Sequence, residues 1–304
     1  MDKCSYFIEG VALFGSYPTQ EFVDHLVANL NIEYFIDLTE KDDKNIVRYT
    51  TSKHISYPIK DKNIPDNTFT FSSFILGVLE LIKANKKIYV HCRGGHGRSG
   101  IVVACLIKMY YDIDVNKALD LTYECHQKRR VMRDKWRQIG SPQTSVQKNF
   151  VRTLFSPVYY NNYNKDNNYL SNYYTSRILI HIDGKDINFL NVEACYQALK
   201  NKTNTEYIKL LSDEINPRIA KLIGRMFVYN DDWKYERVKI MKDLVYQKFS
   251  QNSDLRNKLL STGLGEIIKI SGRTTYWNSI YHNRMGLILT QIRNELLLEL
   301  GHFS

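Results

Sequence analysis

Residues 91–100 read HCRGGHGRSG and gather one thiol, two guanidinium groups and two imidazoles around four glycines, in a chain with only 15 glycines in 304 residues. A cysteine such as Cys92 is a strong nucleophile as its thiolate. The guanidinium of Arg98, six positions later, can hold two oxygens of a tetrahedral oxyanion and follow them into a transition state. Gly94, Gly95, Gly97 and Gly100 let the backbone curl so that its N–H groups converge on one point, where a side chain would clash with whatever is bound. Those amide dipoles, a helix terminus and Arg98 would favour the thiolate over the thiol at Cys92, and Ser99 would hydrogen-bond the sulfur as it leaves. The implied chemistry is nucleophilic displacement at phosphorus. Arg93 and His96 would add a fixed and a switchable positive charge at the mouth of the pocket, which suits a multiply charged substrate; alternatively, Arg93 faces solvent or supports the loop. A metal site built from His91, Cys92 and His96 fits poorly. No second thiol pair follows at zinc-site spacing, and the glycines would be unexplained.

Displacement of an ester oxygen needs a proton donor. Two aspartates in YPIKDKNIPD compete for that role: Asp61, 31 residues upstream of Cys92, and Asp66, which also suits a turn or a helix N-cap beside Pro65. The run QKRRVMRDKWR carries Lys128, Arg129, Arg130, Arg133, Lys135 and Arg137. It reads as a solvated helix face or loop in preference to a cradle for an acidic substrate. In the second half, NVEACYQALK places Glu193, Gln197 and Lys200 on one helix face, with Tyr196 and Leu199 beside it. Periodicity alone makes this an exposed polar stripe, and makes Trp233 and Trp277 core aromatics.

The elements needed to position these groups are legible. KKIYV is a strand running into the glycine loop, and a helix follows near Ser99, so the loop joins a strand end to a helix N-terminus. Positions 1 to about 155 alternate short apolar runs (VALFG, IEYFIDL, ISYPI, KIYVHC) with helical patterns at 67–85, 99–112, 115–129 and 141–155. This is an α/β pattern, a central sheet flanked by helices. An asparagine- and tyrosine-rich stretch without periodicity comes next, then a strand pair near 177–190 and mainly helices. The expected organisation is a first domain over 1–157, a linker over 158–168 and a second, mainly α-helical domain over 169–304.

Composition sets outer bounds. The chain is 43% apolar and 24% charged, as ordinary globular domains are. Five scattered cysteines, an odd number, point to reduced thiols. No run approaches the length of a membrane span, and MDKCSYFIEG lacks the apolar core of a signal peptide. A cytoplasmic protein is expected. The net charge of +10 suits polyanionic partners, although a coding bias toward lysine and asparagine explains it equally well.

His91-Cys92-x5-Arg98-Ser99, with its strand before and helix after, resembles the signature loop of the cysteine-dependent protein phosphatases, particularly the dual-specificity branch. The resemblance covers roughly the first half of the chain. It implies a thiophosphate intermediate hydrolysed by water, with no metal or cofactor, and a general acid near the position of Asp61. Two basic residues at the positions of Arg93 and His96 are similar to those of lipid-directed phosphatases. GSPQTSVQKNFV resembles the segment that closes such domains, where Gln143 or Gln147 would orient water. The implied partner is a phosphorylated protein, or a polyanionic small-molecule or nucleic-acid phosphate.

From YLSNYY to YHNRMGLILTQIRNEL, roughly residues 169–299, the chain resembles the NADAR or YbiA-like family. That resemblance implies cleavage of N-glycosidic bonds in ADP-ribosyl or ribosylated-base compounds. Glu193 matches the family's catalytic glutamate. Asn172, Lys200, Trp233, Trp277 and Asn283 match its substrate-binding positions. Ala194 and Thr274 stand where the family commonly has histidine and aspartate, so a domain that binds such a ligand without hydrolysing it is the alternative.

Overall fold

A computed structural model of the chain describes residues 2–44, 46–162, 165–226, 232–270, 275–278 and 282–301. By the density of contacts the chain divides into one unit of Met1–Ser156 with Leu297–Ser304 and another of Pro157–Leu296.

The first unit is built on five strands: β1 (Cys4–Ile8), β2 (Ala12–Gly15), β3 (Tyr34–Asp37), β4 (His54–Ser56) and β5 (Ile88–His91), in the spatial order β1-β2-β5-β3-β4. The pair β1–β2 is antiparallel, and the other pairings are parallel. β5 is central and every residue of it is buried, as expected for a parallel strand covered on both faces. The helices of this unit are α1 (Gln20–Leu30), α2 (Thr68–Lys83), α3 (Arg98–Tyr111), α4 (Val115–Gln127), α5 (Asp134–Ile139) and α6 (Ser145–Leu154). Register brings Gly15, His91 and Asp37 side by side at the C-terminal ends of β2, β5 and β3. That edge is where α/β sheets usually hold their ligands.

Elements beyond those expected are β1, α1 and the short α5. α1 is fixed by its ends: the Thr19 hydroxyl accepts from Phe22 N–H, and Asn31 closes the helix in a left-handed conformation. The helix expected over 141–155 starts later, at Ser145, because Thr144 and Gln147 form a reciprocal capping box there. α2 is capped by Asn67, whose side chain accepts from Phe69 and Thr70 N–H, so Asp66 is not the cap.

In the second unit, Val158–Tyr160, inside the stretch expected as a linker, forms β6 and pairs in parallel with β9 (Ile267–Lys269). β7 (Ile178–Ile182) and β8 (Lys185–Phe189) make the expected hairpin. Its turn is Asp183-Gly184, both with positive φ, as a two-residue hairpin turn requires. The rest is helical: α7 (Val192–Ala198), α8 (Thr205–Ser212), α9 (Pro217–Met226), α10 (Trp233–Gln251), α11 (Ser253–Leu260) and α12 (Arg284–Glu299). Among the described residues no helix is long and apolar enough to cross a membrane.

Candidate active sites

The loop between β5 and α3 rests backbone on backbone against the end of β2. Gly95 has φ +74°, and a Cβ there would lie 2.4 Å from the Gly15 carbonyl carbon, so both conformation and space exclude a side chain. A Cβ on Gly100 would lie 2.3 Å from Ser141 Oγ, which itself donates to the His96 carbonyl at 2.6 Å. Tyr17 N–H donates to the Arg93 carbonyl at 3.1 Å, while the Arg93 side chain is exposed. Cys92 is 3% exposed, and its sulfur lies 3.5 Å from Ser99 Oγ in the first turn of α3. No side chain caps that helix at Gly97.

Arg98 is 1% exposed yet surrounded by acceptors. Its Nη1 donates to Asp43 Oδ2 at 2.6 Å, to the Ile59 carbonyl at 3.0 Å and to the Leu38 carbonyl at 3.5 Å. Nη2 lies 3.1 Å from Asp61 Oδ1. Burial alone would pull the guanidinium pKa down, but the Cys92 sulfur and the Asp43 and Asp61 carboxylates outweigh it and hold the pKa above its ordinary value. The Asp61 side chain is 52% exposed, so one end touches the arginine and the rest faces solvent. Asp66 is exposed and is not among the partners of Arg98.

His96 does not serve as a switchable charge. Its Nδ1 lies 2.8 Å from His126 Nε2, and its ring stacks on Trp136 at 4.8 Å. Burial and the neighbouring Arg129 push it down to about 4, so it is neutral near physiological pH. His91 is fully buried, bonded through Nε2 to Tyr49 Oη at 2.6 Å, and burial likewise lowers it to about 4. Gln147 sits against the loop: a Cβ on Gly97 would be 2.9 Å from its Nε2, which donates to the Asn63 carbonyl. Gln143 offers only its backbone N–H to Gln147 Oε1. Cys4, Cys105, Cys125 and Cys195 are buried thiols, each raised by burial.

Two loop-facing residues escaped the sequence reading. Asp43 lies in a polar segment whose order nothing in EKDDK signals. Arg129 belongs to the basic run read as solvated. Lys128, Arg130, Arg133 and Lys135 are indeed exposed, but Arg129 is 2% exposed. Arg137 donates to the carbonyls of Gln127 and Arg129 at 2.9 Å each, so it too braces the chain.

In the second unit Glu193 and Gln197 of the polar stripe are buried and Lys200 is half-buried, contrary to the periodicity reading, because strand β8 and helices α8, α9 and α10 pack around the short α7. Glu193 is 7% exposed and accepts from Gln197 Nε2 at 2.8 Å. Its backbone N–H donates to the Asn172 carbonyl at 3.2 Å. The Asn172 amide contacts the Met241 sulfur at 3.1 Å. Lys248, buried and lowered to about 7 by burial, donates to the Tyr169 and Ser171 carbonyls and so fixes the turn before Asn172. Lys200 Nζ donates to the Gly224 carbonyl at 3.2 Å and lies 6.0 Å from the Trp233 ring. Burial lowers its pKa, against the pull of Glu193. Tyr196 packs on Trp233 at 4.9 Å and on Trp277 at 5.7 Å. A cavity of about 350 Å³ opens beside Lys200, Trp233 and Glu236. Both ends of the Asn283 amide are taken by backbone: it donates to the Ile267 carbonyl at 2.7 Å and accepts from Lys269 N–H and Gly286 N–H at 3.2 Å. Lys269, which the sequence reading missed, is lowered by burial and feels the Glu193 carboxylate. Thr274 lies outside the described residues.

Residues 2–151 match the family described as Swiss Army Knife protein, DSP-PTPase phosphatase domain, and residues 158–297 match the NADAR domain. A candidate tyrosine phosphatase, 067L of Invertebrate iridescent virus 3, is 39% identical over 161 residues, which is 51% of this chain and 66% of that protein. The chain thus spans just under two thirds of that relative. The candidate tyrosine phosphatase 197R of Invertebrate iridescent virus 6 is 29% identical over 307 positions, covering 96% of this chain and 94% of that one. An N-glycosidase of Nostoc punctiforme, Npun_R5314, is 30% identical over 125 residues, 38% of this chain and 79% of its own length. A thiol and an arginine on one glycine loop meet aspartates from two other segments, a buried glutamate lies in the other unit, and the chain accordingly joins a DSP-PTPase phosphatase domain in its first half to a second half that belongs to the NADAR family.

Proposed function

We propose that the first domain hydrolyses phosphomonoesters through a covalent thiophosphate on Cys92. The sulfur attacks phosphorus, an S–P bond forms, and the ester P–O bond breaks as Asp61 gives its proton to the departing oxygen. Asp61 then takes a proton from water, whose oxygen attacks phosphorus and releases inorganic phosphate and the Cys92 thiolate. Ser99, 3.5 Å from the sulfur, assists that departure. Arg98 and the loop amides hold the phosphoryl oxygens throughout. The observation that carries this reading is the meeting of Asp61 with the guanidinium of Arg98 at 3.1 Å, which brings acid and phosphate clamp to one place. The substrate class is phosphotyrosine or phosphoserine in proteins, or a polyanionic nucleotide or lipid phosphate. With His96 neutral, Arg93 rather than His96 brings charge to the mouth. Release of phosphate from phosphopeptides, phosphoinositides, RNA 5′-triphosphate and ADP-ribose phosphates, by wild type and Cys92→Ser, tests the assignment. A serine variant that remains active ends it.

The second domain, in this reading, binds or cleaves an N-glycosidic ADP-ribosyl or ribosylated-base compound. Glu193 faces the ribosyl centre, Lys200 and Lys269 sit within its field, and Trp233 and Trp277 support the base. A binding-only module is the second reading. It is favoured by the Gln197 hydrogen bond that occupies Glu193 and by Ala194 in place of the family's histidine. Base release from ADP-ribosylated guanine by wild type and by Glu193→Gln separates the two, because equal background rates identify the reader.

A further inference from the structure

The mechanism above uses Arg98 and leaves unexplained a second buried guanidinium that reaches the same loop from behind. Arg129 follows α4. Its Nη1 donates to the Gly95 carbonyl at 2.7 Å and its Nη2 to the Phe14 carbonyl at 3.3 Å, and its guanidinium lies 4.2 Å from the centre of the Phe14 ring. Nε has no hydrogen-bond partner. Arg137 Nη2 holds the Arg129 carbonyl and keeps this segment in place.

What distinguishes Arg129 is its missing counter-ion. Among the described residues no carboxylate pairs with it; the groups that raise its pKa are Tyr89, Cys92, Cys4 and Cys125, and the imidazoles of His96 and His126, which its charge pushes down, lie close by. Burial lowers it to about 10, which still leaves it cationic at neutral pH. A cation removed from water without a partner is costly and is retained only where something repays it. The negative charge available nearby is the one the loop is built to hold, a Cys92 thiolate or a bound phosphate. Binding one of these relieves the cost, and by reciprocity the arginine favours the anion. Its hydrogen bond also commits the Gly95 carbonyl, which would otherwise be free to face and repel an oxyanion.

Resting on the reading of this loop as a phosphate site, we propose that Arg129 is a positioning residue for it: from behind the loop it ties down the Gly95 carbonyl, and its unpaired charge favours an anion in the cradle. The full-length protein and its Arg129→Gln, Arg129→Lys and Arg130→Gln variants test this, with affinity for inorganic phosphate and the rate of Cys92 alkylation as readouts. Glutamine keeps a donor for Gly95 and loses the charge. It is expected to weaken phosphate binding about tenfold and to slow alkylation near neutral pH but not in alkaline buffer, where the thiolate forms regardless. Lysine keeps the charge and is expected to stay within about threefold of wild type. Arg130→Gln, at an exposed neighbour, leaves both readouts unchanged. A folded glutamine variant equal to wild type in both readouts overturns the proposal. Where glutamine does not fold, lysine decides, because a folded Lys variant as weak as the tenfold expectation shows that charge is not what acts. A wild-type protein that binds no phosphate overturns the site assignment along with this inference, an outcome distinct from the other two.

Discussion

At the scale of single residues, the mechanism proposed for the first domain gives three side chains different jobs, and each predicts a different kinetic signature. Cys92→Ser removes the nucleophile and should abolish phosphate release from every substrate. Arg98→Lys keeps a charge but loses the two-pronged grip. It should lower kcat/KM by roughly a hundredfold or more, measured on any phosphomonoester the wild type accepts. Asp61→Asn should cost about a hundredfold with alkyl phosphates but little with p-nitrophenyl phosphate, whose leaving group needs no proton. An equal loss on both would move the acid role elsewhere. Cys92 and Arg98 were legible because one short loop carries both. Asp43, which meets Arg98 at 2.6 Å, was not, since 55 residues separate the pair and only the folded sheet brings them together. Arg129 shows the same limit differently: Lys128 and Arg130, its exposed neighbours, are indistinguishable from it by composition.

At the scale of elements, the end of the sheet is braced by imidazoles that burial holds neutral. His91 and His96 are lowered to about 4 and His126 to about 3, from an ordinary value of 6.5. Their folded-state values lie below the unfolded ones, so the unfolded chain binds more protons, and stability present above pH 6.5 is lost as the pH falls toward 4. The melting temperature should therefore drop across that window. Replacing His126 with Gln should flatten the drop. Gly95→Ala should inactivate the phosphatase, because it meets both the positive φ and the Gly15 backbone. The strand-loop-helix unit around Cys92 could be read from apolar runs and glycines. α1, an amphipathic helix, and β1, a short strand buried along nearly its whole length, were missed. The burial of α7 could not be read at all, since a seven-residue helix owes its environment to what packs on it.

At the scale of the whole molecule, the division into two units coincides with two family matches. The two chemistries should be genetically separable: Cys92→Ser should leave any Glu193-dependent base release intact, and Glu193→Gln should leave phosphate release intact. A loss of both in either variant would mean that one reaction supplies the other. The net charge of +10 should make turnover of polyanionic substrates fall with added salt, more steeply than turnover of a small singly phosphorylated compound.

The contact of Gly95 with Gly15, and of the Arg93 carbonyl with Tyr17 N–H, means that the seat of the loop is made chiefly of main chain. Its rim, by contrast, is side chain, with Arg93 turned out to water. Seat and rim can thus drift separately: exchanging the residue at position 93 can redirect which phosphorylated compounds are accepted while the underlying cup keeps its shape.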